Sequence, residues 1–563
     1  MAKKKKNKSK KINKQENIEN IKKESSFIGY YIIIAVIIFI IFGLIYGLKI
    51  LNPTYEEWTL AQGDIIQHHT GWEVYRNESW HFPIGLINDV SYPTYVSIIY
   101  TDSIPILALF FKIISFILPK TFQYFGLYGL ACYILQGIFS AKILKKYTDS
   151  KINIIIGSLM FTLIPSMMFR MFYHTALASQ WLILLSLETI YLYNDYKDSN
   201  KIYYIWGIIS LLTSTIHIYY LLMCGVILLG YLLLDILNTK KIKKSLILLL
   251  EYLIIALVSI WIFGGFTNLT ESDNFGFGSF SFNLNGLFNP MHVTSILPKL
   301  KYIPDQYEGF AYLGLGVIIL MGVSLLLSLI WIIKDRKVLK ENKNIIISLF
   351  FIVLISTLLA VSPKVYFGEK LLFEIKLPEF INNLWGIFRS TGRLIWPVIS
   401  IIMLSSIIIL FKRLNWKYSL VIITLCFFIQ VIDLGEYIMS ENENYSDKII
   451  MNEEYDLHKS ETLKKVANNK DIELIVLASD DFYDSDKFLY ADWIVDNNKK
   501  LTNFKFARNS FDTIIKENTN KYLNEKDEKK AYIFTFEEDC KKEGLYCYYL
   551  PMNYSLGYIK PLD

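Results

Sequence analysis

Apolar runs of helical length recur from residue 27 to residue 436, and short loops rich in Lys and Asn separate them. A helix that crosses a bilayer needs about 20 mostly apolar residues. Runs near that length fall at 27–50, 122–144, 152–169, 175–194, 203–216, 218–237, 245–265, 310–334, 344–361, 393–411 and 418–436. The stretch 104–118 is shorter, holds Lys112, and is bounded by Pro105 and Pro119. From about Ser440 the pattern changes: charged residues rise and apolar runs shrink to strand length. There, 472–479 and 530–536 read as buried strands, and 459–469 and 510–523 as helices. The pattern predicts a mainly α polytopic membrane protein of about eleven spans, followed by a small α/β domain over 440–563.

Charge sets the expected orientation. Cytoplasmic loops of membrane proteins carry an excess of Lys and Arg. Lys145, Lys146 and Lys151 mark one such loop; Lys197 and Lys201 a second; Lys240, Lys241, Lys243 and Lys244 a third. Lys334, Arg336, Lys337, Lys340 and Lys343 mark a fourth, and Lys412, Arg413 and Lys417 a fifth. They alternate correctly only if 104–118 does not cross and 203–216 and 218–237 are separate helices. The chain is then a multi-pass plasma-membrane protein with its N-terminus inside and the domain from 440 outside. Residues 1–26 are a Lys-rich tail that fits the cytoplasmic side and its anionic lipid. No basic-aromatic module accompanies the tail, so nucleic acid is not an expected partner. Span 27–50 is long enough to remain as an anchor.

Composition agrees: 53% of the 563 residues are hydrophobic, too many for a soluble enzyme. Of five cysteines, Cys132, Cys224 and Cys426 fall in apolar spans. Cys540 and Cys547 stand in CKKEGLYC, a spacing that suits a hairpin disulfide outside the cytoplasm.

The reactive residues gather in the first outer loop, 51–121. From Asp64, steps of four reach His68, Trp72 and Arg76, which places them along one helix face. Asp102 follows in YTDSIP. A carboxylate beside an imidazole can take a proton from a hydroxyl. Equally, Asp64 can be a helix N-cap, with His68 and Trp72 as interfacial anchors. Loop parity brings Asp64, Asp102, His174, His217 and Arg393 to the same side, and ionisable groups at membrane depth usually line a cavity. The Gly- and Phe-rich stretch 274–290 is expected to cover that cavity or to pack at the interface.

GDIIQHHTGW, HFPIG, YTDSIP, FQYFGLYGLACYILQGIFSA, QYEGFAYLGLG and FRSTGRLIWP together resemble an uncharacterised bacterial membrane-protein family, which in turn is similar to the GT-C superfamily of polytopic glycosyltransferases. The resemblance covers roughly 27–436. It implies a GT-C-like transmembrane domain over 27–439. It also implies a polyprenyl-phosphate-linked sugar donor and a glycan, lipid or protein acceptor at the outer face. By that resemblance Asp64 is the general base of a single inverting displacement. Asp102 orients the acceptor, assists Asp64 or binds a divalent cation, Mg or Mn. Arg393 is the first choice for the leaving phosphate, with His217 or Arg389 next. The remaining substrate-binding candidates are His68, Trp72, Arg76 and His174. GD at 63–64 departs from the paired acidic motif of several GT-C families. The competing classes are a lipid or small-molecule transporter or flippase, to which the break near His217 is suited, and a non-catalytic cell-envelope assembly protein.

Overall fold

In a computed structural model, the structure describes residues 29–60, 63–268, 275–294, 296–445, 456–508 and 511–562. The basic tail 1–26 lies outside the described residues. Among the described residues, eight helices are long and apolar enough to cross a membrane: Gly29–Tyr46, Phe125–Leu144, Ile218–Thr239, Ile242–Ile262, Leu315–Lys334, Lys343–Val361, Thr391–Arg413 and Trp416–Asp433. Lys151–Leu163 and Lys201–Ile216 are shorter apolar helices. The run 175–194 is divided into a 3-10 turn, Thr175–Ala178, the eleven-residue helix Trp181–Tyr191 and a last short turn of helix. The count is therefore eight full-length helices plus shorter ones. Sequence pattern sees an apolar run and cannot see where Pro165 or the turn before Trp181 interrupts it.

Two interruptions shape the bundle. The later part of the first loop forms the nine-residue helix Pro105–Ile113 and a 3-10 turn. At 1.5 Å per residue this covers about 14 Å, less than half a bilayer core of about 30 Å. Its exposed face is apolar, with Phe110, Ile113, Phe116 and Ile117. Lys112 turns inward, donates to the Glu78 carbonyl at 2.8 Å and lies over the Tyr75 ring. The second interruption is at His217, whose backbone is extended between Lys201–Ile216 and Ile218–Thr239. Its neighbours Thr213, Ser214 and Thr215 stay within the first of these helices. Their hydroxyls donate back to the carbonyls of Ile209, Ser210 and Leu211 within the helix. His217 itself caps the second helix by accepting the Tyr219 amide at Nδ1, 3.3 Å away.

Short strands tie the loops. β1 (Leu86–Ile87) pairs antiparallel with β2 (Val96–Ser97), and β3 (Lys364–Phe367) with β4 (Lys370–Glu374). The C-terminal region builds a five-stranded sheet from β5 (Leu474–Leu477), β6 (Lys500–Leu501), β7 (Lys530–Phe534), β8 (Tyr546–Tyr549) and β9 (Ser555–Tyr558), in the order β6-β5-β7-β9-β8. β6, β5 and β7 run parallel, with β9 and β8 antiparallel at the other edge. Helices Glu461–Asn468, Asp484–Asp496 and Asp512–Asn524 accompany it. Cys540 and Cys547 form a disulfide that joins the helix Glu537–Lys542 to β8.

This sheet domain sits on the first loop through main-chain bonds. The Leu501 amide donates to Asp89 O at 2.7 Å, and the Tyr92 amide to Leu501 O at 3.0 Å. The Ala507 amide donates to Tyr100 O at 2.8 Å, beside Asp102. Asn518 Nδ2 meets Thr94 Oγ1 at 2.9 Å. A paired Asn518→Cys, Thr94→Cys variant should accordingly be bridged by a short bifunctional maleimide. The readout is a gel shift after proteolytic nicking between the two positions, and fragments that separate freely would place the domain elsewhere.

Candidate functional site

The site grows from the helix Ile65–Asn77 and the turn that follows β2. Asp64 is the N-cap of that helix, yet its side chain makes no capping bond. The side chain is 61% exposed, and its carboxylate lies within ion-pair distance of His174. One turn on, His68 is fully buried, and neither ring nitrogen has a hydrogen-bond partner among the described residues. Burial pushes its pKa down to about 3, so the ring is neutral.

Asp102 is placed against it by a turn that the local sequence holds firmly. Asp102 and Ile104 both take left-handed backbone, φ 55° and 53°, an uncommon state for a β-branched residue. Ser103 between them is clamped: its Oγ donates to His68 O at 2.6 Å, and Tyr124 donates its hydroxyl to Ser103 O. Gly71 makes the approach possible, because a Cβ there would lie 2.7 Å from Ser103 Oγ and would overlap Thr101. The glycine of GDIIQHHTGW and the serine of YTDSIP therefore belong to one contact.

Two more imidazoles close on the same carboxylate. His174 Nε2 is 3.7 Å from Asp102 Oδ2 and 4.0 Å from Asp64 Oδ2. His217 Nε2 is 3.6 Å from Asp102 Oδ1. Burial raises the Asp102 carboxyl to about 7, against the pull of Arg393. His68, Asp102 and His174 each offer one donor atom within 4.8 Å of the others.

Asp102, His174 and His217 line a cavity of about 350 Å³ that also takes in Arg389, Arg393 and Arg508. Ile99, Ile218, Ile260, Phe266 and Ile387 give it an apolar part. Arg393 is fixed from behind. Its Nε and Nη2 both donate to Glu308 Oε2, at 2.9 and 2.6 Å, and Arg170 donates to the same oxygen at 2.8 Å. Burial alone would raise the Glu308 carboxyl; the two guanidiniums more than offset this and hold it down to about 2. Arg393 also lies over the Tyr219 ring, 4.9 Å from its centre. Arg389 donates to Ala507 O at 3.1 Å, and Arg508 donates to Ile387 O, so the sheet domain supplies part of the lining.

Asp64, Asp102, His68, His174, His217, Arg389 and Arg393 thus come together, whereas Trp72 and Arg76 do not line the cavity. Helical drift turns them away, and the 114–122 segment claims their donors. Trp72 Nε1 donates to Phe122 O at 2.8 Å. Arg76 donates to Ser115 Oγ, Lys120 O and Pro119 O at 2.9, 2.6 and 2.6 Å. Glu308 and Arg508 had no signal in spacing. For Glu308 a clue was available: an acid beside a glycine in QYEGF, with an arginine beside a glycine in STGRL.

Glu308→Gln leaves two buried guanidiniums facing a neutral group. It should cost on the order of 3 kcal/mol of stability, the usual scale for breaking a buried pair from one side. Thermal unfolding in detergent measures this, and an unchanged Tm would contradict it. Arg76→Ala should also lower Tm, since it frees three acceptors on the 115–120 segment. It should leave ligand binding in the cavity intact, and a specific loss of binding at normal Tm would return Arg76 to the site.

No curated protein and no solved structure matches the chain. The family model described as Domain of unknown function (DUF6311) matches residues 35–435, which include all the site residues above except Ala507 and Arg508. The chain belongs to that family.

Proposed function

We propose that this protein is a membrane glycosyltransferase. It moves a sugar from a polyprenyl-phosphate donor to a glycan, lipid or protein acceptor at the outer face of the membrane. The observation that carries the reading is the cavity. One enclosure holds a carboxylate with imidazoles around it, three guanidiniums, and an apolar part contributed by the bundle. A second carboxylate, Asp64, lies 4.0 Å from His174, which lines the cavity. Such a set suits a substrate with an apolar chain, a phosphate and a reacting centre that needs a base.

In the reaction, the acceptor oxygen bonds to the anomeric carbon as the bond from that carbon to the lipid phosphate breaks. The acceptor proton goes to a carboxylate. Asp64 takes this role, because its side chain is exposed and spends nothing on capping. Asp102, which lines the cavity with imidazoles around it, takes a positioning role beside Asp64. The departing phosphate keeps its charge, which Arg389, Arg393 and Arg508 neutralise. Arg393 arrives already oriented, since Glu308 and Tyr219 fix it before any ligand binds. Such preorganisation avoids a cost at the moment of reaction.

Membranes charged with sugar-labelled polyprenyl phosphate test the reading. Asp64→Asn should slow transfer by about 10²–10⁴-fold, the range for loss of a general base, with donor affinity little changed. Arg508→Ala should weaken donor binding and transfer together. Near wild-type transfer by a folded Asp64→Asn protein would remove Asp64 from the base role. If no variant in the cavity altered transfer, the glycosyltransferase reading itself would fall.

A further inference from the structure

We infer that His68, Asp102 and His174 form a binding site for a divalent transition-metal ion of the zinc class, with a fourth position open to the cavity. The site deepens the function proposed above, but metal binding can be measured without any transfer. Three observations carry it. The donor atoms of the three residues already lie within 4.8 Å of one another. Among the described residues, both ring nitrogens of the fully buried His68 and Nδ1 of His174 have no hydrogen-bond partner. Buried polar atoms in folded proteins nearly always have a partner, so an imidazole left bare beside a carboxylate and a second imidazole points to a ligand.

The third observation is how Asp102 is aimed. His217 accepts the Tyr219 amide at Nδ1, which puts its proton on Nε2, the atom that faces Asp102 Oδ1 at 3.6 Å. That arrangement orients the carboxylate from one side and leaves Oδ2 toward His174, 3.7 Å away. Outer partners of this kind fix the ligands of metal sites. The left-handed turn at Asp102 and the Ser103 clamp hold the same carboxylate from the backbone side.

Donor chemistry chooses the ion. Two nitrogens and one carboxylate with one place open is the ligand set of zinc sites that bind a water or substrate atom. Imidazole suits Zn²⁺, Fe²⁺ and Co²⁺, whereas Mg²⁺ prefers an octahedron of oxygens. The magnesium alternative, which carboxylates alone suggest, is therefore disfavoured, and Mn²⁺ ranks below Zn²⁺. Tetrahedral donors at about 2.0–2.1 Å from zinc lie about 3.3 Å apart. Loading thus draws the three side chains inward by roughly an ångström. Because Asp102 and His174 line the cavity, an anionic oxygen of a bound substrate would reach the open position. His69, the adjacent residue, is turned away toward Glu56 at 3.5 Å and takes no part.

The test uses full-length protein in detergent, with any histidine tag removed, stripped with chelator and dialysed against Zn²⁺, Mn²⁺ or Mg²⁺. Elemental analysis should return one zinc per chain, a weaker manganese signal and no retained magnesium. Zn²⁺ should raise Tm, as any ligand of the native state does. His68→Ala and Asp102→Asn should each lower zinc affinity by at least about 10-fold and abolish the Tm rise, while Asp64→Asn keeps both. Co²⁺ in the stripped wild type should give the visible absorption of a tetrahedral nitrogen–oxygen site, which does not depend on any variant folding. Zinc content equal in wild type and in both ligand variants, with no cobalt spectrum, would overturn the inference. Zinc binding in a protein that transfers no sugar would leave the site standing and remove the proposed activity. Full transfer by a protein that holds no metal would do the reverse.

Discussion

A single buried carboxylate, Glu308, holds the architecture of the cavity in place. It receives Arg170 from the segment before His174 and Arg393 from the start of a late helix, both on one oxygen. These residues lie far apart in the chain, and they meet because two glycines let the backbones touch. A Cβ on Gly392 would overlap Gly309 Cα, and one on Gly309 would lie 2.6 Å from Ser281 O. Buried ion pairs of this kind add little net stability compared with apolar packing, but they are costly to break from one side. Their gain is positional: a guanidinium pinned by a carboxylate cannot fold back onto Asp102. Arg393 therefore lines the same cavity as Asp102, His174 and His217 while remaining paired with Glu308.

The sequence made some of this legible and hid the rest for physical reasons. Long apolar spans are readable because lipid leaves few alternatives to a helix. Loop charge parity set 104–118 apart as a segment expected not to cross, and it forms a nine-residue helix and a 3-10 turn. His217 was visible as a polar interruption, although the hydroxyls beside it turned out to be satisfied within their own helix. Helical spacing put His68 near Asp64 correctly, but extending it to Trp72 and Arg76 failed. A row at steps of four drifts, and by its third member the side chains meet the 114–122 segment instead of the cavity. Glu308 stands in QYEGFAYLGLG with no other charged residue beside it, so its two arginine partners, far off in the chain, leave no local pattern. Arg508 had no pattern at all, since its place depends on how a separately folded sheet docks.

That docking gives the C-terminal region a part in the site. Segment 501–508 runs along the first loop, bonded at Asp89 and Tyr100, and brings Ala507 and Arg508 to the cavity. Tyr100 is two residues before Asp102, so the sheet domain braces the same turn that sets the carboxylate. The first loop thus lines the cavity with Ile99, Tyr100 and Asp102, the bundle and its connections with His174, His217, Arg389 and Arg393, and the C-terminal domain with Ala507 and Arg508.

The central claim is that this cavity receives a lipid-borne phosphate. Mass spectrometry of lipid carried through a mild purification from native membranes tests it most directly. The account predicts that wild-type protein retains a polyprenyl phosphate, with or without its sugar, enriched over bulk phospholipid, and that an Arg389→Ala, Arg508→Ala protein of normal Tm loses it. Retention of bulk phospholipids alone by the wild type, or equal polyprenyl phosphate in both proteins, would contradict the account.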